Sequence, residues 1–152
     1  MILYRITKSK YAADLSGYGA AIHPGRWNKR GTSVLYTGMT AEIALLETLV
    51  QLPNMLTPRL DMVTIQIPDK SCFEYSIADL PENWSNYPAP TILAEIGQRW
   101  VNENKYLGLI VPSCIIPTAK NVVLNCQHVR YREVSIVDQK PFQIDKRLIR
   151  TT

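Results

Sequence analysis

Four residues of this 152-residue chain carry side chains suited to chemistry: Arg26 in HPGRWNKRG, Tyr36 in SVLYTG, Glu47 in AEIALLETL and Ser113 in VPSCIIP. Arg26 follows a Pro24-Gly25 turn, where glycine admits backbone geometry closed to other residues and lets a ligand come close. Its planar fork of donors matches phosphate or carboxylate oxygens, so it reads as an anion clamp or as a surface residue paired with an acid. Tyr36 shares a strand face with Val34. It reads as a core aromatic, or as a ring stacked on a planar ligand with its hydroxyl in water.

Glu47 lies at the margin of an apolar stripe formed by Ile43, Leu45, Leu46, Leu49 and Val50. At about 100° per residue it stands about 40° from Ile43 and about 60° from Val50. A carboxylate there either borders a cleft or reaches into water. Ser113 follows a strand-ending proline, Pro112. As a nucleophile it needs an adjacent base, which nothing in the local sequence supplies; a hydrogen bond to a ligand or to backbone suits it better. Asn125 and His128, in NCQH, orient a ligand or satisfy buried backbone groups. The chain has no GxGxxG, Walker or HExxH motif.

These residues need elements to position them. Residues 1–7 read as a strand with Leu3 in the core, and residues 8–32, broken by Gly and Pro, as mostly irregular. Residues 33–37 form a short strand. Thr40 caps a helix through Leu52, with Glu42 in its first turn. Alternation over 62–67 places Val63, Ile65 and Ile67 on one face of a strand. Residues 68–90 read as a packed surface loop anchored by Trp84 and Tyr87, and Thr91 caps a second helix through Asn102. Strands follow at Leu107–Val111, Val122–Leu124 and Val134–Val137, with a tail near Phe142–Ile144. Many strands, few helices and no regular alternation predict an α+β fold.

The length suits one domain, 1–152, with a core that needs no disulfide or metal staple. Hydrophobic residues make up 46% and charged residues 20%, an ordinary balance for a globular protein. No apolar run approaches the ~20 residues of a membrane span, and MILYRITKSK lacks the layout of a signal peptide; a cytoplasmic protein with no membrane contact is expected. Cys72, Cys114 and Cys126 are widely spaced with only two histidines in the chain, so packed thiols are expected and no metal site. The net charge of +4 is uneven: residues 1–41 carry six basic residues against one acid, 42–119 four against nine, and 120–152 seven against three. If the two ends meet, a basic region faces an anionic ligand. A nucleic-acid-binding module is the competing class, but the sequence shows neither a basic helix nor an aromatic stacking stripe.

Taken together, LYRI (3–6), GRWN (25–28), LYT (35–37), ALLE (44–47), LPENW (80–84), VPS (111–113), NVVLNCQH (121–128) and DKRL (145–148) resemble the RES-domain family over nearly the whole chain. The resemblance implies a fold similar to ADP-ribosyltransferase toxins, a split and mostly antiparallel β core with flanking helices. It also implies a toxin that degrades NAD by cleaving the nicotinamide–ribose bond. NAD is then the substrate, and no cofactor is needed. The family's Arg, Tyr, Glu and Ser fall on Arg26, Tyr36, Glu47 and Ser113. On this reading Arg26 grips the pyrophosphate, Trp27 packs the turn onto the domain and Asn28 ties the loop. Tyr36 flanks the nicotinamide, Glu47 stabilises the oxocarbenium-like ribose, Ser113 bonds near that ribose, and Arg5 is a second phosphate contact.

The acceptor is open among water, inorganic phosphate and a protein side chain. The implied partner is a helical, DNA-binding, Xre-like antitoxin whose C-terminal region plugs the site, so that DNA is met only through the antitoxin. A relative that only binds its antitoxin, without NAD turnover, is a further alternative. Three positions depart from the family pattern: Pro24 replaces a frequent glycine, Gly38 a frequent alanine and Cys126 a frequent proline.

Overall fold

A computed structural model describes residues 1–53 and 58–149. Seven strands form one sheet in the order β4-β5-β6-β2-β1-β3-β7, where β1 is Ile2–Lys8, β2 Val34–Gly38, β3 Leu60–Gln66, β4 Cys72–Glu74, β5 Gly108–Pro112, β6 Lys120–Asn125 and β7 Ser135–Phe142. Three α-helices accompany it: α1 (Tyr18–Ile22), α2 (Ala41–Leu49) and α3 (Thr91–Glu103). All neighbours run antiparallel except β4 and β5, which are parallel. The expected α+β class holds.

The split in the core lies between β1 and β2. These strands share one registered pair, Tyr4 with Gly38, whereas β1 pairs with β3 along its whole length. Beyond that single pair the Ile6 carbonyl accepts the Thr48 hydroxyl of α2 at 3.1 Å. Strand β2 pairs in full with β6, which joins the basic amino-terminal third to the basic carboxy-terminal third.

Side chains alternate across a strand, so register fixes the two faces. Leu3, Leu35, Val63, Ile65, Val122 and Leu124 pack on one face. On the other, α3 covers Val34, Leu109, Val111 and Val123 through Leu93 and Trp100. Beside it, α2 covers Ile6 and Leu60 through Ala44, with Ile144 closing that cluster. The opposite-face residues Leu3, Val63, Val122 and Leu124 are fully buried, and truncating either leucine to alanine would cost about 2–5 kcal/mol.

Local signals account for several element ends. The Thr40 hydroxyl accepts the Ile43 amide at 3.2 Å, as a helix cap does. Helix α2 stops at Leu49, short of the expected Leu52, and Val50 is its exposed C-cap, outside the apolar stripe assigned to it. Thr91 is the first residue of α3 and not its cap; Pro90 stands at the cap with φ of −64°, its ring holding the backbone at the turn into the helix. Asn104, left-handed at φ of 52°, ends that helix.

Three elements differ from expectation. Helix α1 arises in the segment read as irregular, and β4 in the segment read as loop. Strand β7 runs unbroken from Ser135 to Phe142, because Pro141 is tolerated on an edge strand. Trp84 is buried as expected, but Tyr87 is 92% exposed and anchors nothing.

Candidate active site

The sheet face beneath α2 and α3 brings together the side chains that sequence spacing leaves apart. Strand β2 places Tyr36 opposite Val123 and Gly38 opposite Asn121. Tyr36 and Asn121 are therefore diagonal neighbours on one face, about 7–8 Å apart. Strand β5 ends on Pro112, so that Val111 pairs with Asn121 and Ser113 follows on the same face. Helix α2 lays Glu47 against this floor.

The carboxylate of Glu47 is held asymmetrically. Its Oε1 accepts Ser113 Oγ at 2.8 Å and Asn121 Nδ2 at 2.8 Å. No hydrogen bond falls on Oε2 among the described residues. The boundary position read from the helical wheel is thus half-buried, and its carboxylate turns onto the sheet instead of into water. Sequence reasoning missed Asn121. Its only signal was an asparagine opening the apolar run NVVLN, which becomes informative once β6 is paired.

Ser113 now has a carboxylate beside it, the partner that local sequence could not supply. The arrangement still does not make it a nucleophile. Ser113 is fully buried, and its oxygen accepts the amides of Ile115 at 3.1 Å and Ile116 at 3.4 Å. With both lone pairs taken and its proton on Glu47, the hydroxyl presents nothing to a ligand.

The Arg26 loop is built around Asn28, which is 2% exposed. Its Oδ1 accepts the Gly25 amide at 2.8 Å and the Tyr36 hydroxyl at 2.7 Å. Its Nδ2 donates to the carbonyls of Ala20 at 2.9 Å and Thr32 at 3.2 Å. Asn28 therefore ties the loop and has no polar atom left for a substrate. The Tyr36 hydroxyl also accepts the Trp27 amide at 3.0 Å, so it is an internal loop contact and not the wet group expected. Burial pushes its pKa well above the ordinary phenol value, which keeps it a protonated donor.

Gly25 also has a different reason from the one expected. A Cβ there would lie 2.8 Å from the Tyr36 ring, so the close approach is to that ring. Trp27 is buried and packs the turn onto the domain. On α3, a Cβ at Gly97 would sit 1.7 Å from the Trp27 carbonyl oxygen; only glycine lets the loop lie this close to the helix. Arg26 Nη1 donates to the carbonyls of Trp84 at 2.8 Å and Asn86 at 2.9 Å. That fixes one arm of the fork and leaves the rest of the guanidinium free of protein hydrogen bonds among the described residues.

Three other candidates lie elsewhere. Arg5 alternates with Leu3 and pairs with Val63, which puts it on the sheet face opposite Tyr36. There Nη1 donates to the Asp14 carbonyl at 3.2 Å, and burial lowers its pKa. Its alternation with Leu3 was the available signal. Asn125 is fully buried at the far end of β6, about 13 Å along the strand from Asn121. It accepts the Gln127 amide at 3.0 Å and donates to Asn104 at 3.2 Å. His128 Nδ1 accepts the Arg130 amide at 3.0 Å and caps the 3-10 turn Val129–Glu133. Both satisfy backbone, one of the two roles open to them. Cys72, Cys114 and Cys126 are half-buried free thiols.

Comparison with known proteins bears on this arrangement. The family model described as RES domain matches residues 2–145. A protein named Toxin Res from Yersinia enterocolitica is 36% identical over 97% of this chain and 99% of its own length. The Prs ADP-ribosylating toxin of Sphingobium sp. is 32% identical over 91% of this chain and 89% of its own. In the crystal structure of the M. tuberculosis MbcT-MbcA toxin–antitoxin complex, one chain superposes with a TM-score of 0.77 at 20% identity. The match covers 93% of this chain and 83% of that one, and it shows a shared fold. By the family match and by identity over its full length, this chain belongs to the RES domain family.

Proposed function

We propose that the protein is a toxin that cleaves the nicotinamide–ribose bond of NAD, with Glu47 meeting the reacting ribose and Arg26 holding the pyrophosphate. The divided carboxylate of Glu47 carries this reading: Oε1 is occupied by Ser113 and Asn121, which leaves Oε2 for a ligand. Nicotinamide leaves as a neutral base when the bond electrons return to its ring nitrogen. The ribose carbon then gains oxocarbenium character, as in glycoside cleavage. A carboxylate oxygen fixed beforehand beside that charge, bonded to a ribose hydroxyl, stabilises the transition state without reorganising. The Tyr36 ring lines the cleft beside the nicotinamide, while its hydroxyl keeps the Arg26 loop closed. Ser113 acts through Glu47. NAD is consumed as substrate.

With its free oxygen accepting both hydroxyls of the ribose, Glu47 has no lone pair left to deprotonate an acceptor. An acceptor that arrives already ionised needs no base, which favours inorganic phosphate over water. Its oxygen bonds the ribose carbon and gives ADP-ribose 1″-phosphate. Transfer to a protein side chain is the second reading, favoured by the name of the Sphingobium relative. For a partner we propose an Xre-like antitoxin that covers the cleft in the cytoplasm, in keeping with the toxin–antitoxin complex that shares this fold.

Proton and phosphorus NMR of the purified protein with NAD, with and without phosphate, tests the reaction. Nicotinamide release with ADP-ribose 1″-phosphate is the expected result. Free ADP-ribose would replace phosphate by water as acceptor. ADP-ribose found on protein would favour the second reading. Intact NAD with no modified protein would end the proposal.

A further inference from the structure

We propose that Asn121 is a positioning residue for the reaction, one that fixes the orientation in which the Glu47 carboxylate turns its free oxygen to the substrate; this rests on the reading of Glu47 given above. Asn121 is the second residue of β6, and its partner Val111 lies two residues before Ser113, which follows the end of β5. Strands β5 and β6 form a hairpin whose turn is closed by the Ser113 amide on the Ala119 carbonyl at 2.9 Å. The two donors that hold Glu47 therefore stand on the two arms of one hairpin, on the face that α2 covers.

Their hydrogen-bond polarity is forced. The Ser113 oxygen already accepts the Ile115 and Ile116 amides, so its single hydrogen points to Glu47. The Asn121 amide nitrogen can only donate. Both hydrogens converge on Oε1 and fill the lone pairs of that oxygen. Half a turn of the carboxylate only exchanges two equivalent oxygens and restores the same arrangement, whereas any smaller tilt lengthens at least one of the two bonds. Ser113 alone, on one side, leaves the carboxylate free to swing about a single bond. Asn121 supplies the second point that aims Oε2.

The test compares Asn121→Ala and Asn121→Asp with the wild type and with Glu47→Gln. Asn121→Ala removes one charge-assisted donor, and kcat is expected to fall about 10- to 100-fold while KM for NAD stays within about twofold. Asn121→Asp keeps the shape but sets a second carboxylate against Glu47. Like charges this close do not both ionise, so the pair holds a proton between its two carboxylates and activity takes a pH dependence displaced from that of the wild type. A merely structural asparagine would not show the kcat-specific loss. The proposal fails if Asn121→Ala, folded by near-ultraviolet circular dichroism, keeps wild-type kcat, or if Asn121→Asp keeps the wild-type pH profile. Absence of nicotinamide release from the wild type itself would instead end the reading of Glu47.

Discussion

The Arg26 loop and the Glu47 carboxylate are both fixed by hydrogen bonds, but from different distances along the chain. Asn28 organises its loop through partners within eight residues, from Ala20 to Tyr36. Glu47 is held by residues 66 and 74 positions away. Arg26 combines the two cases: its backbone belongs to the local loop, while its guanidinium rests on carbonyls 58 and 60 residues on. The shape of the loop is thus a local property. The aim of both charged groups exists only after β5, β6 and the 81–86 segment have packed.

Substitutions separate the two kinds of support. The largest expected effect is at Glu47. Glu47→Gln keeps an oxygen for Ser113 and Asn121 but replaces the free Oε2 by an amide donor. NAD cleavage, followed as nicotinamide release, should fall about 10²–10³-fold with an unchanged melting temperature. Asn28→Ala comes next and acts on stability. Unpairing the Gly25 amide, the Tyr36 hydroxyl and the Ala20 and Thr32 carbonyls together should cost about 3 kcal/mol, a fall of roughly 10 °C in Tm by calorimetry, with NAD affinity lost as the loop opens.

Gly97→Ala follows. The added methyl meets the Trp27 carbonyl, a backbone atom that cannot rotate away, and should cost about 1–3 kcal/mol by denaturant unfolding. Because the loop and not the Glu47 hairpin is displaced, KM for NAD should rise more than kcat falls. His128→Ala is the smallest. Loss of the cap on Val129–Glu133 should cost about 1 kcal/mol, and kcat and KM should stay at wild-type values because that turn lies at the far end of β6. A large activity loss there would erase the distinction drawn between the two ends of the strand.

What the sequence made legible follows the same division. The Thr40 cap and the alternation of β3 are set by neighbours a few residues away, and both are found; the buried Trp27 and Trp84 are found as well, from their size and apolar character. Strand β4 has no such signal: Cys72–Glu74 is a strand because β5 runs beside it. The site residue types are readable: Glu47 comes to the sheet face that bears Tyr36, and the Arg26 loop is bonded to the Tyr36 hydroxyl. The contact of Ser113 with Glu47, and the whole contribution of Asn121, need the β5–β6 register and could not be read. Arg5 shows how sharp that dependence is, since a shift of one residue along β1 would bring it to the face of Tyr36.

A crystal structure of Glu47→Gln with intact NAD tests the central claim most directly. The account predicts the nicotinamide ribose hydroxyls within hydrogen-bond distance of the free arm of the side chain at position 47. It places the other arm on Ser113 and Asn121, and the pyrophosphate on Arg26. NAD seated elsewhere, on the Arg5 face or with its reacting ribose out of reach of position 47, would contradict it.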